Sequence, residues 1–319
     1  MTDLLLPLGL AVGLPLLLSG MVAFGRTVSL LDWILSALLC QGVSVYMYLA
    51  SPIWTWIGVG WRVLPPAAAA AAVLWSVRRL RTYPVLPPAR RRPLAGTAIR
   101  CATVALIAAL LVEFRLASLA PAGAVDLPFP LEGRRFAVLQ GGRSIALNHH
   151  RAVPAQAHAI DIVGLDDRGR RARGVRPAAL DAYEIFDRTV VAPCGGIVSG
   201  MSDGMPDAPI GRRRPPPPAP AGNHVLLSCR IGGAEITLLL AHFRRGGVAV
   251  ALGDRVRRGA PLGRVGNSGN STEPHLHIHA VRGRAVDLKS AIATAEAVPL
   301  TFDGRFLIRN DIVRVPGRP

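Results

Sequence analysis

Pro274-His275-Leu276-His277-Ile278-His279 places three histidines at alternate positions. A strand sends every second side chain to the same face, so His275, His277 and His279 are expected to stand in one row. A row of imidazoles is a metal-site geometry. It lies in the half of the chain that holds all eight histidines, from His149 to His279. Around it, after Pro121, short apolar runs are punctuated by Gly, Pro, Asn and Asp, the pattern of strands joined by turns. Strands are expected near residues 135–139, 157–163, 189–192, 196–199, 224–230, 235–243, 275–281 and 306–313, which makes this half an antiparallel β domain.

The first half reads differently. Half of the 319 residues are hydrophobic and mean hydropathy is +0.35, too apolar for a wholly soluble chain, and the excess sits at the front. Residues 4–25 carry no charge and match the roughly 30 Å hydrocarbon core that a membrane helix must cross. Further spans are expected at 28–52, 53–77 and 97–119. The first segment opens Met1-Thr2-Asp3, without a basic stretch, and other apolar segments follow, so it reads as an anchor and not as a cleaved signal peptide. Arg62 inside the third span should snorkel, face another helix, or pair with Asp32 or Glu113. Arg78, Arg79, Arg81, Arg90, Arg91 and Arg92 crowd the loop before the fourth span and mark it as cytoplasmic, which places the C-terminal half outside. The expected organisation is an α-helical transmembrane region over 1–120, then an all-β, mainly antiparallel, extracytoplasmic domain over 121–319 with a Pro-rich loop at 203–222.

The net charge of +17 is dispersed over arginines with few aromatics and no nucleic-acid module, which argues against a nucleic-acid partner. The arginine-rich stretch 168–176 and Arg212-Arg213-Arg214 read as solvated surface, or as a face for an anionic partner such as a bacterial wall. Of the four cysteines, Cys40 and Cys101 fall in membrane segments, whereas Cys194 and Cys229 lie in the outer half and can bridge if adjacent. The prolines of 215–218 supply no ladder donors and belong to a surface loop, either a spacer or a flap over a cleft. Asp161, in Ala157-His158-Ala159-Ile160-Asp161-Ile162-Val163, is a lone carboxylate in an apolar strand, expensive to bury unless hydrogen-bonded or metal-bound.

Several runs carry a resemblance. Gly259-Ala260-Pro261-Leu262-Gly263-Arg264-Val265-Gly266-Asn267-Ser268-Gly269, then Ser271-Thr272-Glu273-Pro274-His275-Leu276-His277, resembles the closing signature of the lysostaphin/LytM-type zinc endopeptidases. Gly222-Asn223-His224-Val225, Ala241-His242-Phe243 and Val191-Ala192-Pro193-Cys194-Gly195-Gly196-Ile197-Val198 are similar to further motifs of that family. The resemblance implies one Zn2+ per chain, with His277 and Asp161 as ligands and His242 and His275 as the residues that polarise substrate or stabilise the oxyanion. The family's usual first ligand stands four residues before the Asp, where this chain has Ala157. Asn148-His149-His150 followed by Gln156-Ala157-His158-Ala159-Ile160-Asp161 resembles a variant motif and makes His150 the expected first ligand. His158 is the alternative, although its odd spacing from Asp161 turns it to the other face of a regular strand, and His149 also stays open. His279 shares the face of His277 but matches no family ligand and is expected to stand behind the ligands or line the cleft, and His224 reads as an ordinary strand residue.

The apolar segments imply a multi-pass membrane protein, and the resemblance implies that its outer domain is a zinc metalloendopeptidase acting on peptidoglycan cross-links or on another extracytoplasmic peptide. A non-catalytic relative that binds and activates another wall hydrolase is the alternative. A biotinyl- or lipoyl-type carrier is argued against because Lys289, the only lysine, lies beyond the hairpin at 253–259. Oligomeric state is not legible.

Overall fold

The computed structural model describes residues 2–87, 94–133, 135–211 and 219–316. The chain forms two compact units, Met1–Arg115 and Leu116–Pro319.

The first unit is helical, with α1 (Thr2–Leu8), α2 (Leu14–Phe24), α3 (Leu30–Ala50), α4 (Trp54–Ile57), α5 (Leu64–Ser76) and α6 (Leu94–Ala117), the last running two residues past the unit boundary. Among the described residues three helices are long and apolar enough to cross a membrane: Leu4–Phe24, which joins α1 and α2 through a π-turn, Leu30–Ala50 and Gly96–Ala117. The segment expected as the third span, 53–77, is broken. Gly58 adopts φ 111°, a 3-10 stretch covers Val59–Val63, and α5 restarts on the Pro65-Pro66 pair. Its 13 residues reach about 20 Å, short of a hydrocarbon core.

Ser29 caps α3, its Oγ accepting from the Asp32 amide at 3.1 Å. Asp32 pairs with Arg100 of α6 at 2.5 Å and not with Arg62, whose guanidinium stacks 4.8 Å over the Tyr48 ring. The Arg79 guanidinium donates to the carbonyls of Val22 and Gly25, closing the C-terminal end of α2. Arg90, Arg91 and Arg92 lie outside the described residues.

The second unit is β-rich: β1 (Val125–Leu127), β2 (Arg135–Gln140), β3 (Ile160–Gly164), β4 (Thr189–Val191), β5 (Gly196–Ser202), β6 (Asn223–Ile231), β7 (Ala234–Val248), β8 (Arg255–Val256), β9 (Pro261–Val265), β10 (Leu276–Arg282), β11 (Ala297–Val298), β12 (Leu300–Phe302) and β13 (Ile312–Arg314). β1 and β12 pair in parallel, and all other strand pairs are antiparallel. The main sheet runs β13-β2-β3-β10-β7-β6-β5-β8. One face of it carries the core, in which Val138, Ile160, Ile162, Leu238, Leu240, Leu276 and Ile278 pack with Phe136 and Phe243. The opposite face of β7 and β10 packs a smaller cluster of Ala155, Ala221, Leu239, Ala241, Val281 and Ala291.

Cys194 and Cys229 are joined by a disulfide across β5 and β6. The Pro-rich loop is pinned at its start, where Asp203 accepts from the Gly246 amide at 2.8 Å and Asp207 from the Asn267 amide at 2.6 Å. Arg212-Arg213-Arg214 and Pro215–Pro218 lie outside the described residues. The strand expected over 306–313 is confined to β13, because Asn310 enters at φ 68° and Asp311 closes a turn on Ile308.

Candidate functional site

The site grows from the centre of the main sheet. On β10, Leu276, Ile278 and Ala280 enter the core, so the period-two alternation turns His277 and His279 to the opposite face. β3 lies alongside and pairs Asp161 directly with His277, and on the other flank β7 pairs Ala241 with His277. The lone acid of an apolar strand thereby meets the second histidine of the row.

His242 reaches the same place by an irregular route. Leu238 and Leu240 enter the core, and a regular strand would send His242 there too. Instead β6 and β7 shift register between Asn223 and His224, His242 takes φ 68°, and Phe243 fills the core position. This is a β-bulge that re-aims one side chain. Hydrogen bonds from His242 N to Ala221 O (3.0 Å) and from Gly266 N to His242 O (2.9 Å) hold it. The ring is fixed by Nδ1–H donating to Ser268 O at 2.8 Å. Ser268 is gripped in turn, its Oγ donating to Phe243 O and accepting from Asn223 N, against Gly222 at φ 61° where a Cβ would come within 2.5 Å of it.

His150 stands on a 3-10 turn, His149–Ala152, tied down by buried Asn148. The Asn148 side chain accepts from the His150 amide and donates to Ala159 O, so the turn is fastened to the start of β3. His150 Nε2 lies 2.9 Å from both carboxylate oxygens of Asp161. His277 Nδ1 is 3.0 Å from Asp161 Oδ1, and His275 Nε2 is 3.7 Å from it. The His242 and His275 rings lie 4.6 Å apart by centroid. His275 Nδ1–H donates to Glu273 O at 2.9 Å.

Five of the residues singled out from the sequence are thus brought together: His150, Asp161, His242, His275 and His277. His149 joins them at the rim, exposed and 4.1 Å from His150 by centroid, and His149, His150 and Asp161 each offer a ligand atom within 4.8 Å of the others. His158 is not brought in; it neither lines the cleft nor bonds Asp161 among the described residues, and its buried Nδ1 has no partner. His224 donates from Nδ1 to Gly222 O, away from the cluster, as an ordinary strand residue.

Electrostatics separate these groups. Burial alone would push the Asp161 carboxyl up, but the charges of His150 and His275 and the hydrogen bond from His150 outweigh it and hold the carboxyl well below the usual carboxylate range. Burial pulls His150 down, and the Asp161 charge and hydrogen bond more than reverse it, so His150 is raised. Burial, then His150, drives His277 down to about 3, and burial holds His242 well below its ordinary value. His242 and His277 therefore stay neutral at physiological pH.

Arg171 was read as part of a solvated arginine run, but it is buried and paired with Glu273 at 3.1 Å. That ion pair anchors the turn just before His275. The only sequence signal was Glu273 itself, an acid in the run Ser271-Thr272-Glu273-Pro274 that leads into His275.

The cleft encloses about 650 Å³, with Gln140, Pro220, Thr272, Glu273 and Ile292 on its walls. Its floor carries one carboxylate and two facing imidazole nitrogens 2.9–3.0 Å away. Ligands of a tetrahedral ion at about 2.0–2.1 Å sit roughly 3.3 Å from one another, so His150, Asp161 and His277 suit a divalent metal with small adjustments. With His242 and His275 beside them, the arrangement has the groups needed to hydrolyse an amide. The profile of Peptidase family M23 matches residues 182–288.

The chain carries an M23 peptidase domain. The matched segment of that M23 domain supplies His242, His275 and His277, while His150 and Asp161 come from the turn and strand just upstream. Among solved structures, similar ones are a zinc-containing peptidase from Vibrio cholerae (17% identity, 49% of this chain and 37% of that one, TM-score 0.28) and a peptidase M23 from Pseudomonas aeruginosa (18%, 62% and 59%, TM-score 0.29). Lysostaphin in solution is a third (18%, 43% and 40%, TM-score 0.24). The chain spans less than two thirds of each of the three. No curated protein matches it.

Proposed function

We propose that the chain is a membrane-anchored zinc endopeptidase that cleaves peptide bonds in peptidoglycan cross-links, with the M23 domain outside the membrane. The observation that carries this reading is the convergence of His150, Asp161 and His277 beside His242 and His275 in one cleft. In this reading His150, Asp161 and His277 hold the ion. Zinc bound there would polarise a carbonyl and acidify water.

The protein's own groups do the rest. Both His242 and His275 spend Nδ1–H on a backbone carbonyl, so a ring that carries no second proton keeps Nε2 free to accept one. Such a ring accepts a proton from the attacking water and, once cationic, donates from Nε2 to the developing oxyanion and then to the leaving amine. The disulfide fits an oxidising compartment, and the arginines before α6 fit a cytoplasmic loop.

The test is zinc content and cleavage of purified muropeptides by the full chain in detergent, wild type against His277→Ala. Wild type should hold about one zinc and cleave, and the variant should lose both. A wild-type protein free of metal and inactive favours a scaffold that activates another hydrolase. Parallel His149→Ala and His150→Ala variants assign the first ligand, and loss of zinc only in the His149 variant would overturn the His150 assignment.

A further inference from the structure

His279 is not among the ligands or proton carriers above, yet it is 1% exposed and stands directly behind His277. Its Nε2 lies 3.1 Å from the carbonyl oxygen of Ala291, and its Nδ1 lies 2.9 Å from His277 Nε2. A carbonyl can only accept, so the proton of the first contact belongs to His279 Nε2. In a neutral ring this leaves His279 Nδ1 as a bare acceptor, and the second contact then requires the proton on His277 Nε2. His277 Nδ1 is left with its lone pair, 3.0 Å from Asp161 Oδ1.

The direction of the whole chain is therefore set at its far end, by Ala291. Reversing it would set His277 Nε2 against His279 Nδ1 lone pair to lone pair, or set His279 Nε2 against the carbonyl in the same way. Ala291 is itself held, its amide donating to Asp287 O at 3.1 Å in the π-turn Ser290–Thr294, and Ser290 N donating to the Asp287 carboxylate at 2.8 Å. At the other end two acceptors, the carboxylate of Asp161 and the lone pair of His277 Nδ1, face each other. Such a contact is repulsive unless a cation lies between them.

We infer that His279 is a positioning residue: by accepting from His277 Nε2 and donating to Ala291, it fixes the tautomer in which His277 offers Nδ1 to the metal. The inference rests on the ligand set proposed above and deepens it. Groups behind a ligating histidine typically change metal affinity 10–100-fold when lost. His279 supplies the acceptor with a neutral ring, where a carboxylate would bring a second negative charge to the buried site.

The test reads metal affinity and tautomer, not turnover. In the full chain, zinc affinity measured by competition with a chromophoric chelator should fall about 10–100-fold in His279→Phe, which keeps an aromatic ring but has no acceptor. His279→Asn, whose Oδ1 can replace Nδ1, should recover much of that loss. Equal wild-type affinity in both variants, with His277→Ala still losing zinc, overturns the role of His279 and leaves the ligand set standing. Zinc retained in His277→Ala, or absent from wild type, overturns both. Should the Phe variant fail to fold, imidazole 15N shifts of the zinc-loaded wild type decide: the proton of His277 must be on Nε2, and a spectrum placing it on Nδ1 refutes the inference.

Discussion

His242 offers a way to separate the ring's contribution to chemistry from the strain of the bulge that aims it. His242→Ala and His242→Gly both delete the imidazole, but they differ in how they bear φ 68°. A left-handed backbone costs a residue with a Cβ about 1–2 kcal/mol, and glycine gives back about 0.5–1 kcal/mol through its freer unfolded chain. The glycine variant should therefore be more stable than the alanine variant by about 0.5–1 kcal/mol. With a urea slope of about 1–3 kcal/mol per molar, that is a midpoint difference near 0.3 M. Activity should fall by about 100-fold or more in both, because each loses the same donor.

The assay is pulse proteolysis of the full chain in detergent across a urea series, read on fragments of the β unit. All five tryptophans, Trp33, Trp54, Trp56, Trp61 and Trp75, lie in the helical unit, so their fluorescence serves as a control that should not move between the variants. An alanine variant as stable as the glycine variant would show that the backbone at His242 carries no such strain. A large difference in residual activity between them would show that the ring is not the catalytic element.

The Cys194–Cys229 bridge closes a 35-residue separation, and replacing both cysteines by serine should lower the stability of the β unit by about 4 kcal/mol. Unchanged urea midpoints with and without reductant would refute that. Burial pushes the His224 imidazole below its ordinary 6.5, so the folded state binds that proton less readily than the unfolded chain. Its contribution is complete above about pH 6.5 and is lost as pH falls below it, and His224→Gln should flatten that part of the acid stability profile. Arg171→Leu strands Glu273 in a largely buried place, with an expected loss of about 3 kcal/mol, and Arg171→Leu/Glu273→Leu should recover part of it. A double variant no more stable than the single one, by the same proteolysis, would place the Arg171 contribution elsewhere.

The alternation of His275, His277 and His279 was legible because a strand has a strict period of two, and Asp161 because an acid in an apolar run needs a partner. His242 could be found only through its motif. Its parity with Leu238 and Leu240 points it into the core, and nothing in Leu240-Ala241-His242-Phe243 announces a bulge. Arg171 was hidden among neighbouring arginines that differ from it in burial and not in kind. In the helical half, an apolar count over 53–77 outweighed Gly58, Gly60 and Pro65-Pro66, and those breakers decided the local structure. The pairing of Asp32 went to Arg100, 68 residues along the chain and on another helix, beyond any local rule.

The Cys194–Cys229 bridge also gives the β unit a record of where it folded. In a compartment where thiols stay reduced, the link from the segment before β5 to β6 would not close, and the β unit would be left looser and more open to proteases.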